Sequence, residues 1–585
     1  MSADWAQLKA KRAGRTGEAP VASPSDLTPS SPQAPLTSLS AQGVSKVTEQ
    51  PSNRLEYSHP DLPSSLSVRT VPGKGRGIVA EDSFTPGSTL LSTTPLISVL
   101  DQRNIFQRCS ACYRLSEDTA AQKPLLQCSR CHIVQYCSGA CQQQDWYLHK
   151  SECKAMRNMS ALAKEKGEKP RGGQYVPETP VRAIGRLLWK KQLEGDSYWK
   201  QVMSLQAHRG ERNEKEQKNL FRLLSAVSAY VGQDFLVKAV QDASNLIDLI
   251  SRFTSNSFSL TSPTDLTNIG VSISPLTALF NHSCRPNSVV VFPIFPSPSC
   301  SSSKPNPSSS YPPTTKNMRV VAIRPIKPGE EVLTSYVDLA SPKETRQREL
   351  LERYKFECRC EECERKDVDP REAFACPKGE CRGLLRIIDG GGESACSVCG
   401  GIVDVPDVKA ALDAAKSRFE EAEKTQYTDP AASETNLLKL ISSLIFISPS
   451  LSPSSHPLFQ AYSLLLTLHL HDHKFNLARR MALPAWTGAC ELYPYGHPVR
   501  AILSTTMARL VSIPPQNPSP QEDLQYWSDI GKRSNGLRMM VESLKQCEIG
   551  FGKKDGGGQV GSKLRQLIRD QEEGIEMGRR VARGV

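Results

Sequence analysis

The chain has no long hydrophobic run. No stretch approaches the ~18 apolar residues that a membrane crossing needs, so no membrane-spanning segment is expected. Its first residues, "MSADWAQLKAKRAGRTGEAPVAS", hold no continuous apolar core that would read as a secretory signal, and a soluble protein of the cytoplasm and nucleus is expected. A clustered basic helix is missing too. "KAKR" near Lys9 is too short for more than a weak nuclear-import signal, and a net charge of +12 over 585 residues favours acidic partners only weakly. Direct DNA binding is therefore not expected. Hydrophobic content (38%) and charged content (23%) are both low for a globular chain, which fits folded modules mixed with unfolded segments. The length exceeds what one core of ~250–300 residues supports, so several domains should follow one another.

Cysteine, by contrast, is plentiful. Eighteen are present, most in closely spaced pairs, and with no secretory signal that pattern points to thiolates gathered around metal rather than to disulfides. "CSACYRLSEDTAAQKPLLQCSRCHIVQYCSGACQQQDWYLHKSEC" supplies Cys109, Cys112, Cys128, Cys131, Cys137, Cys141, His149 and Cys153. Eight ligands make two closed tetrahedral sites, and closed sites are structural because no position is left for a reacting water. Cys137 and Cys141, or His149 and Cys153, are four apart and can share a helix face. Further on, "CPKGECRGLL" and "CSVCG" contribute Cys376, Cys381, Cys396 and Cys399, two knuckle-like pairs about a Gly-rich turn that read as a zinc ribbon. Cys300, Cys490 and Cys547 have no partners in sequence and are expected to be unliganded.

Composition divides the rest. Residues 1–60 are rich in Ser, Pro, Thr, Ala and Gln and are expected to be disordered. From Leu66, β-branched residues alternate with Gly/Pro punctuation, which predicts short strands. In "TPVRAIGRLLWKKQL" Pro180 opens an amphipathic helix with Val181, Ile184, Leu187 and Leu188 on its apolar stripe. Strand-like sequence returns at "IGVSISPLTALFNHSCRPNSVVVF" and "NMRVVAIRPIKPGEEVLTSY", separated by a Ser/Pro-rich insertion over 293–315. Past Val405 the pattern is helical, with Asp407 as N-cap of a first helix and further helices around Leu437–Ile447, Leu458–Leu470, Phe475–Leu492 and Val499–Val511.

One heptapeptide asks for a function: "NHSCRPN", Asn281 to Asn287. Buried amides and a histidine are costly unless satisfied, so such a loop should be organised around a polar ligand. The chain also holds "GKGRG" at Gly73–Gly77, where backbone can approach a ligand closely, "GEEVLTSY" ending at Tyr336, and "YKFECRCEEC" with Tyr354, Phe356, Cys358, Cys360 and Cys363.

These motifs in this order resemble the SET domain of protein lysine methyltransferases, and the eight-ligand cluster resembles the MYND zinc finger. The whole is similar to the SET-and-MYND (SMYD-like) family. The resemblance implies an α+β multidomain fold: a SET N-terminal part over 61–108, the finger over 109–153, a helical insert over 154–255, a SET C-terminal part over 256–340, a post-SET segment over 341–370, the ribbon over 371–403 and TPR-like helices over 404–585. It assigns Cys109, Cys112, Cys137 and Cys141 to one zinc and Cys128, Cys131, His149 and Cys153 to another. It also supplies Cys284 as the fourth ligand for Cys358, Cys360 and Cys363. The implied activity is S-adenosylmethionine-dependent methylation of histone or other protein lysines. Lys74, Gly75, Arg76, Asn256, Asn281, His282, Tyr336 and Phe356 would bind cofactor.

Methyl transfer to an amine needs collinear geometry and a neutral nucleophile, whose reference pKa near ~10.4 must be overcome by desolvation. Tyr336, Tyr354 and Phe258 are expected around that channel, with Tyr336 orienting the amine. Partners would be protein substrates, and peptides docking on the finger and the C-terminal helices; a monomer is expected. The alternative is an inactive interaction adaptor, which need not bind the cofactor.

Overall fold

The computed structural model describes residues 59–117, 124–167, 175–208, 213–240, 242–295, 317–514, 516 and 530–582. The N-terminal tail up to residue 58, most of the Ser/Pro insertion and Cys300 lie outside these residues.

The alternating sequence after Leu66 forms the hairpin of β1 (Leu66–Val71) and β2 (Gly75–Ala80). It turns through Gly73 and Gly75, at φ +72° and +76°, a region that side chains disfavour. β3 (Thr89–Thr93) and β4 (Ile97–Leu100) then enter two different sheets. Between them and the next long strands come the short pair β5 (Leu126–Gln127) and β6 (Gln135–Tyr136) and five helices. These are α1 (Gly139–Glu165), α2 (Thr179–Met203), α3 (Glu214–Val231), α4 (Gln233–Val240) and α5 (Ala243–Asn256). α2 carries Pro180 in its first turn and buries Val181, Ile184, Leu187 and Leu188, the stripe expected from periodicity.

β7 (Ser257–Thr261) and β8 (Asn268–Ile273) complete an antiparallel sheet in the order β4–β8–β7. β9 (Asn281–His282), β10 (Ser288–Val291), β11 (Met318–Ala322) and β12 (Leu333–Thr334) follow. β10–β11–β3 is a second antiparallel sheet, and β9 pairs parallel with β12, bringing "NHSC" against "LTSY". α6 (Lys343–Tyr354) leads to the ribbon, built from hairpins β13 (Ala373–Ala375) with β14 (Leu384–Arg386) and β15 (Gly392–Ala395) with β16 (Ile402–Val405).

The C-terminal array comprises α7 (Lys409–Thr425), α8 (Pro430–Leu444), α9 (Leu458–His471), α10 (Phe475–Leu492), α11 (Pro498–Val511), α12 (Ile530–Phe551) and α13 (Gly558–Ala582). The protein is thus a mixed helix-and-sheet chain with a helical C-terminal region. Ribbon and first helices share one core, with Phe374, Leu385 and Cys396 packed among Leu437, Leu440 and Leu465. The last helices return to the strands. Phe551 and Val560 pack with Val289, Val291, Val321 and Ile323, and Lys553 N–H donates to the Gly87 carbonyl at 2.9 Å. Burying one phenylalanine in this way contributes ~1.5–3 kcal/mol.

Three expectations need correction. Asp407 is not the N-cap of α7: Val408 is, because its buried side chain fixes the start, while the Asp407 carboxylate accepts the Lys409 N–H at 3.0 Å. Cys137 does not share a helix with Cys141: Ser138 caps α1 between them, its hydroxyl accepting the Cys141 N–H. Within the stretch assigned to the Ser/Pro insertion, Phe295 is buried, its ring centroid 5.8 Å from that of Tyr113, because an apolar ring there has a core to enter.

Candidate functional site: a cleft braced by cysteine clusters

Four sets of ligand atoms converge, each within 4.8 Å of one another. They are Cys109, Cys112, Cys137, Cys141; Cys128, Cys131, His149, Cys153; Cys284, Cys358, Cys360, Cys363; and Cys376, Cys381, Cys396, Cys399. A tetrahedral zinc with ~2.3 Å bonds sets its sulfurs ~3.8 Å apart, whereas a disulfide needs ~2.05 Å. The sulfurs stand at 3.6 Å (Cys112–Cys137), 4.0 Å (Cys128–Cys153), 3.6 Å (Cys284–Cys363) and 3.9 Å (Cys376–Cys399), so all four sets fit zinc and none fits a disulfide. Among the described residues, Cys490 and Cys547 join no cluster.

Behind the second set lies a buried charge network that spacing could not reveal. His149 turns Nε2 toward Cys131 Sγ and Nδ1 toward Glu152 at 3.3 Å, the carboxylate–histidine arrangement that orients a metal-ligating ring. Glu152 accepts Arg182 Nε at 3.0 Å and Arg186 Nε at 2.9 Å, and Arg186 also donates to Asp145, which accepts the Tyr136 hydroxyl at 2.8 Å. Burial alone would raise the Glu152 carboxyl; the charges of Arg186 and Arg182 overcome it and hold that carboxyl well below the usual carboxylate range. The finger is thereby tied to α2.

The third set sits at the cleft itself. One cavity of about 3720 Å³ is lined by Lys74, Gly75, Arg76, Asn256, Phe258, Asn281, His282, Tyr336, Tyr354 and Phe356, so the structure brings every non-metal residue singled out by sequence to a single cleft. The parallel pair β9–β12 does much of this. Ser283 N–H donates to the Thr334 carbonyl, and Tyr336 N–H donates to His282 Nδ1 at 3.0 Å. With Nδ1 accepting, the His282 proton sits on Nε2, 3.3 Å from Cys284 Sγ. One imidazole therefore links a cysteine of the third cluster to the backbone of Tyr336.

The aromatic groups cluster around it. Ring centroids of Tyr336 and Tyr354 are 4.8 Å apart, those of His282 and Phe356 6.0 Å, and those of Tyr336 and Phe356 6.5 Å. The Tyr336 hydroxyl donates to the Phe280 carbonyl at 2.7 Å. Burial pushes the Tyr336 phenol up, with Tyr354 and Glu331 adding to it, and burial likewise raises Tyr354, so both rings are neutral at ordinary pH. Phe258 lines the cleft from β7 but packs with the core of the helical insert rather than with these rings.

Other groups hold the cleft's polar edge. Asn281 Nδ2 donates to the Arg76 carbonyl at 3.2 Å and to Glu331 at 2.8 Å, and Lys74 Nζ pairs with Glu331 at 2.6 Å. A Cβ on Gly77 would stand 2.8 Å from Asn281 Nδ2, so that approach requires glycine. Arg76 donates to the Ser204 carbonyl, and Asn256 Nδ2 to the carbonyls of Gln206 and Arg252. Two positioning residues were missed by sequence: Glu331, inside the quoted "GEEVLTSY", and Asn287. The latter closes "NHSCRPN" by donating to Glu330 and the Glu331 carbonyl while accepting the Leu333 N–H at 2.8 Å. Their signal was in view, two amides in a seven-residue loop and two adjacent glutamates, but only contacts across 40-odd residues give it meaning.

Residues 75–337 match the SET domain family. The chain is 26% identical over 492 residues to "Histone-lysine N-methyltransferase ASHR1" of Arabidopsis thaliana, covering 81% of this chain and 92% of that one. It is 30% identical over 302 residues to "N-lysine methyltransferase SMYD2" of Homo sapiens and 31% identical over 303 residues to that of Mus musculus, each covering 51% of this chain and 60% of the relative. The match thus spans about three fifths of those mammalian proteins' length. The matched segment contains the cleft, and the cysteine-rich finger is inserted within it: the chain carries a SET domain and is similar to these lysine methyltransferases.

Proposed function

We propose that this chain methylates lysine side chains of proteins with S-adenosylmethionine as donor, and that its four cysteine clusters hold four structural zincs. One observation carries the reading: Gly75, Asn281, His282, Tyr336, Tyr354 and Phe356, distant in sequence, line the same cavity. The cavity fits the cofactor. The turn at Gly73 and Gly75 has open space where side chains would stand, leaving its backbone free to face a ligand, and Phe356 offers an aromatic face for an adenine. When bound, S-adenosylmethionine would supply an electrophilic methyl group on a sulfonium. Lys74, Gly75, Arg76, Asn256, Asn281, His282 and Phe356 would hold it.

The remaining work falls to the chain's own groups. Because the Tyr336 hydroxyl spends its proton on the Phe280 carbonyl, its lone pairs are left to accept an N–H from a lysine amine and aim the nitrogen. The adjacent, uncharged rings of Tyr336 and Tyr354, tilted 40° to one another, strip water from that amine, which favours its neutral form. Tyr336 is the residue assigned to catalysis and Tyr354 to the lysine channel; Phe258, which packs apart from these two rings, is assigned only to the wall of the cleft. No cluster contributes an open coordination position, so the zincs hold structure.

Incubating the purified protein with labelled S-adenosylmethionine and a cell extract, then mapping the modified side chain, tests the reading. Label on lysine is expected, together with saturable cofactor binding at equilibrium. No cofactor binding at any concentration would favour an inactive interaction scaffold. The same reading includes peptide partners on the finger and C-terminal helices, a monomer, and residence in cytoplasm and nucleus, checked by gel filtration and cell fractionation.

A further inference from the structure

From Tyr354 the cleft continues along α6 toward that helix's N-terminal end, where its lining changes character. Gln460, in the first turn of α9, is 9% exposed; its Nε2 donates to the Ala340 carbonyl at 3.0 Å, and its Oε1 has no partner. His456 Nδ1 lies beside that amide without hydrogen-bonding geometry, and Ser463 Oγ is also buried and unpartnered. Gln460 and Ser463, three apart in α9, share one face of that helix, His456 lies just before its start, and all three residues line the cleft. Leaving even one such group unsatisfied costs ~1–3 kcal/mol, so a row of them beside an open cleft points to an occupant that brings donors.

The wall opposite them in sequence has the complementary lack. The carboxylates of Glu344, in the first turn of α6, and Glu372, in the 3₁₀ turn before β13, line the same cleft. Among the described residues neither makes an ion pair or a side-chain hydrogen bond. Lys416, a lining cation whose charge reaches Glu372, is paired with Asp413 at 3.5 Å. Burial first, then the charge of Asp369, pushes the Glu372 carboxyl up, and neither Lys416 nor the buried Arg346 cancels this. Two carboxylates short of counter-charge and an amide oxygen short of a donor ask for one ligand: a cation rich in N–H groups.

We propose that this stretch is a subsite for a second basic side chain of the protein substrate, an arginine or lysine, received by Glu344, Glu372 and the Gln460 side-chain oxygen. The inference rests on the methyltransferase reading and adds a specificity rule to it. From Glu344 to Tyr354 α6 rises about 15 Å at ~1.5 Å per residue, and an extended peptide advances ~3.3 Å per residue. The basic residue therefore lies about four to five positions from the lysine in the channel.

The test uses the full chain saturated with S-adenosylmethionine and a set of fluorescent alanine-based peptides, each with one lysine and one arginine moved through the eight positions on either side. Anisotropy is expected to show about tenfold tighter binding when arginine stands about four to five residues away, on one side only, than for the all-alanine parent. Glu344→Gln with Glu372→Gln should reduce that ratio to near one. Gln460→Leu should reduce it partway. Cofactor affinity on the same samples reports that each variant is folded. Equal binding across all arginine positions overturns the subsite, as does a preference that the double variant retains. Failure to bind S-adenosylmethionine overturns the underlying reading instead, and the peptide ratios, which need no turnover, are still decided.

Discussion

The finger and the post-SET cluster use the same kind of ligand for different ends. In the finger, His149 is braced by a buried carboxylate and two buried arginines, and the network leads to α2 and the core of the helical insert. In the post-SET cluster, Cys284 stands two residues from His282, whose ring reaches the Tyr336 backbone. A metal in the first place would hold a module together. In the second it would set the position of a reacting group.

Four changes would break or sharpen that contrast. The largest effect is expected of Glu152→Gln, which leaves Arg182 and Arg186 buried beside a neutral amide at a cost of ~3–5 kcal/mol. Thermal unfolding should show it as a large drop in Tm, while the cofactor affinity of the protein that stays folded is kept. Lost cofactor binding in the folded fraction would mean that the two regions are not separate. Next comes Tyr336→Phe, which removes an oxygen that accepts the amine without touching any metal ligand; turnover should fall ~10²–10³-fold with zinc content unchanged.

Third, Cys284→Ser should lose one zinc by atomic absorption and ~10–100-fold in cofactor affinity, while Cys131→Ser loses a finger zinc and keeps cofactor affinity. Equal cofactor loss in the two variants would erase the distinction. Last, Phe356→Leu keeps an apolar group but gives up the aromatic contacts with His282 and Tyr336; cofactor binding by calorimetry should weaken by ~0.5–1.5 kcal/mol.

How far the sequence could be read depends on how local each signal was. Ligand pairs such as Cys109 and Cys112 need only two residues between them, so the finger and ribbon ligands were visible before any coordinates, whereas Cys284, 74 residues before Cys358, was supplied only by the family resemblance. The apolar stripe of α2 was visible for the same reason. Tyr336 was placed by its neighbours in "GEEVLTSY". What escaped was built by distance: Arg182 meets Glu152 thirty residues away, and Asn287 meets Glu330 forty-three residues away. Neither glutamate nor arginine announces burial, since such residues usually face water. The helices α12 and α13 were not delimited individually, because Gly- and Arg-rich stretches such as "GKRSNGLRMM" weaken the periodic pattern.

The seam between those last helices and the early strands has a consequence for how the protein comes to exist. Arg319 belongs to the sheet that supports the cleft and Gly87 to the turn leading into its strand β3, and they receive Asp555 and Lys553 from a loop made more than two hundred residues after Arg319. During synthesis, Val289, Val291 and Val321 emerge long before Phe551 arrives to shield them. A nascent chain stalled anywhere in that interval would carry an uncovered greasy surface, so chaperone occupancy should persist until the segment holding Phe551 and Val560 clears the ribosome.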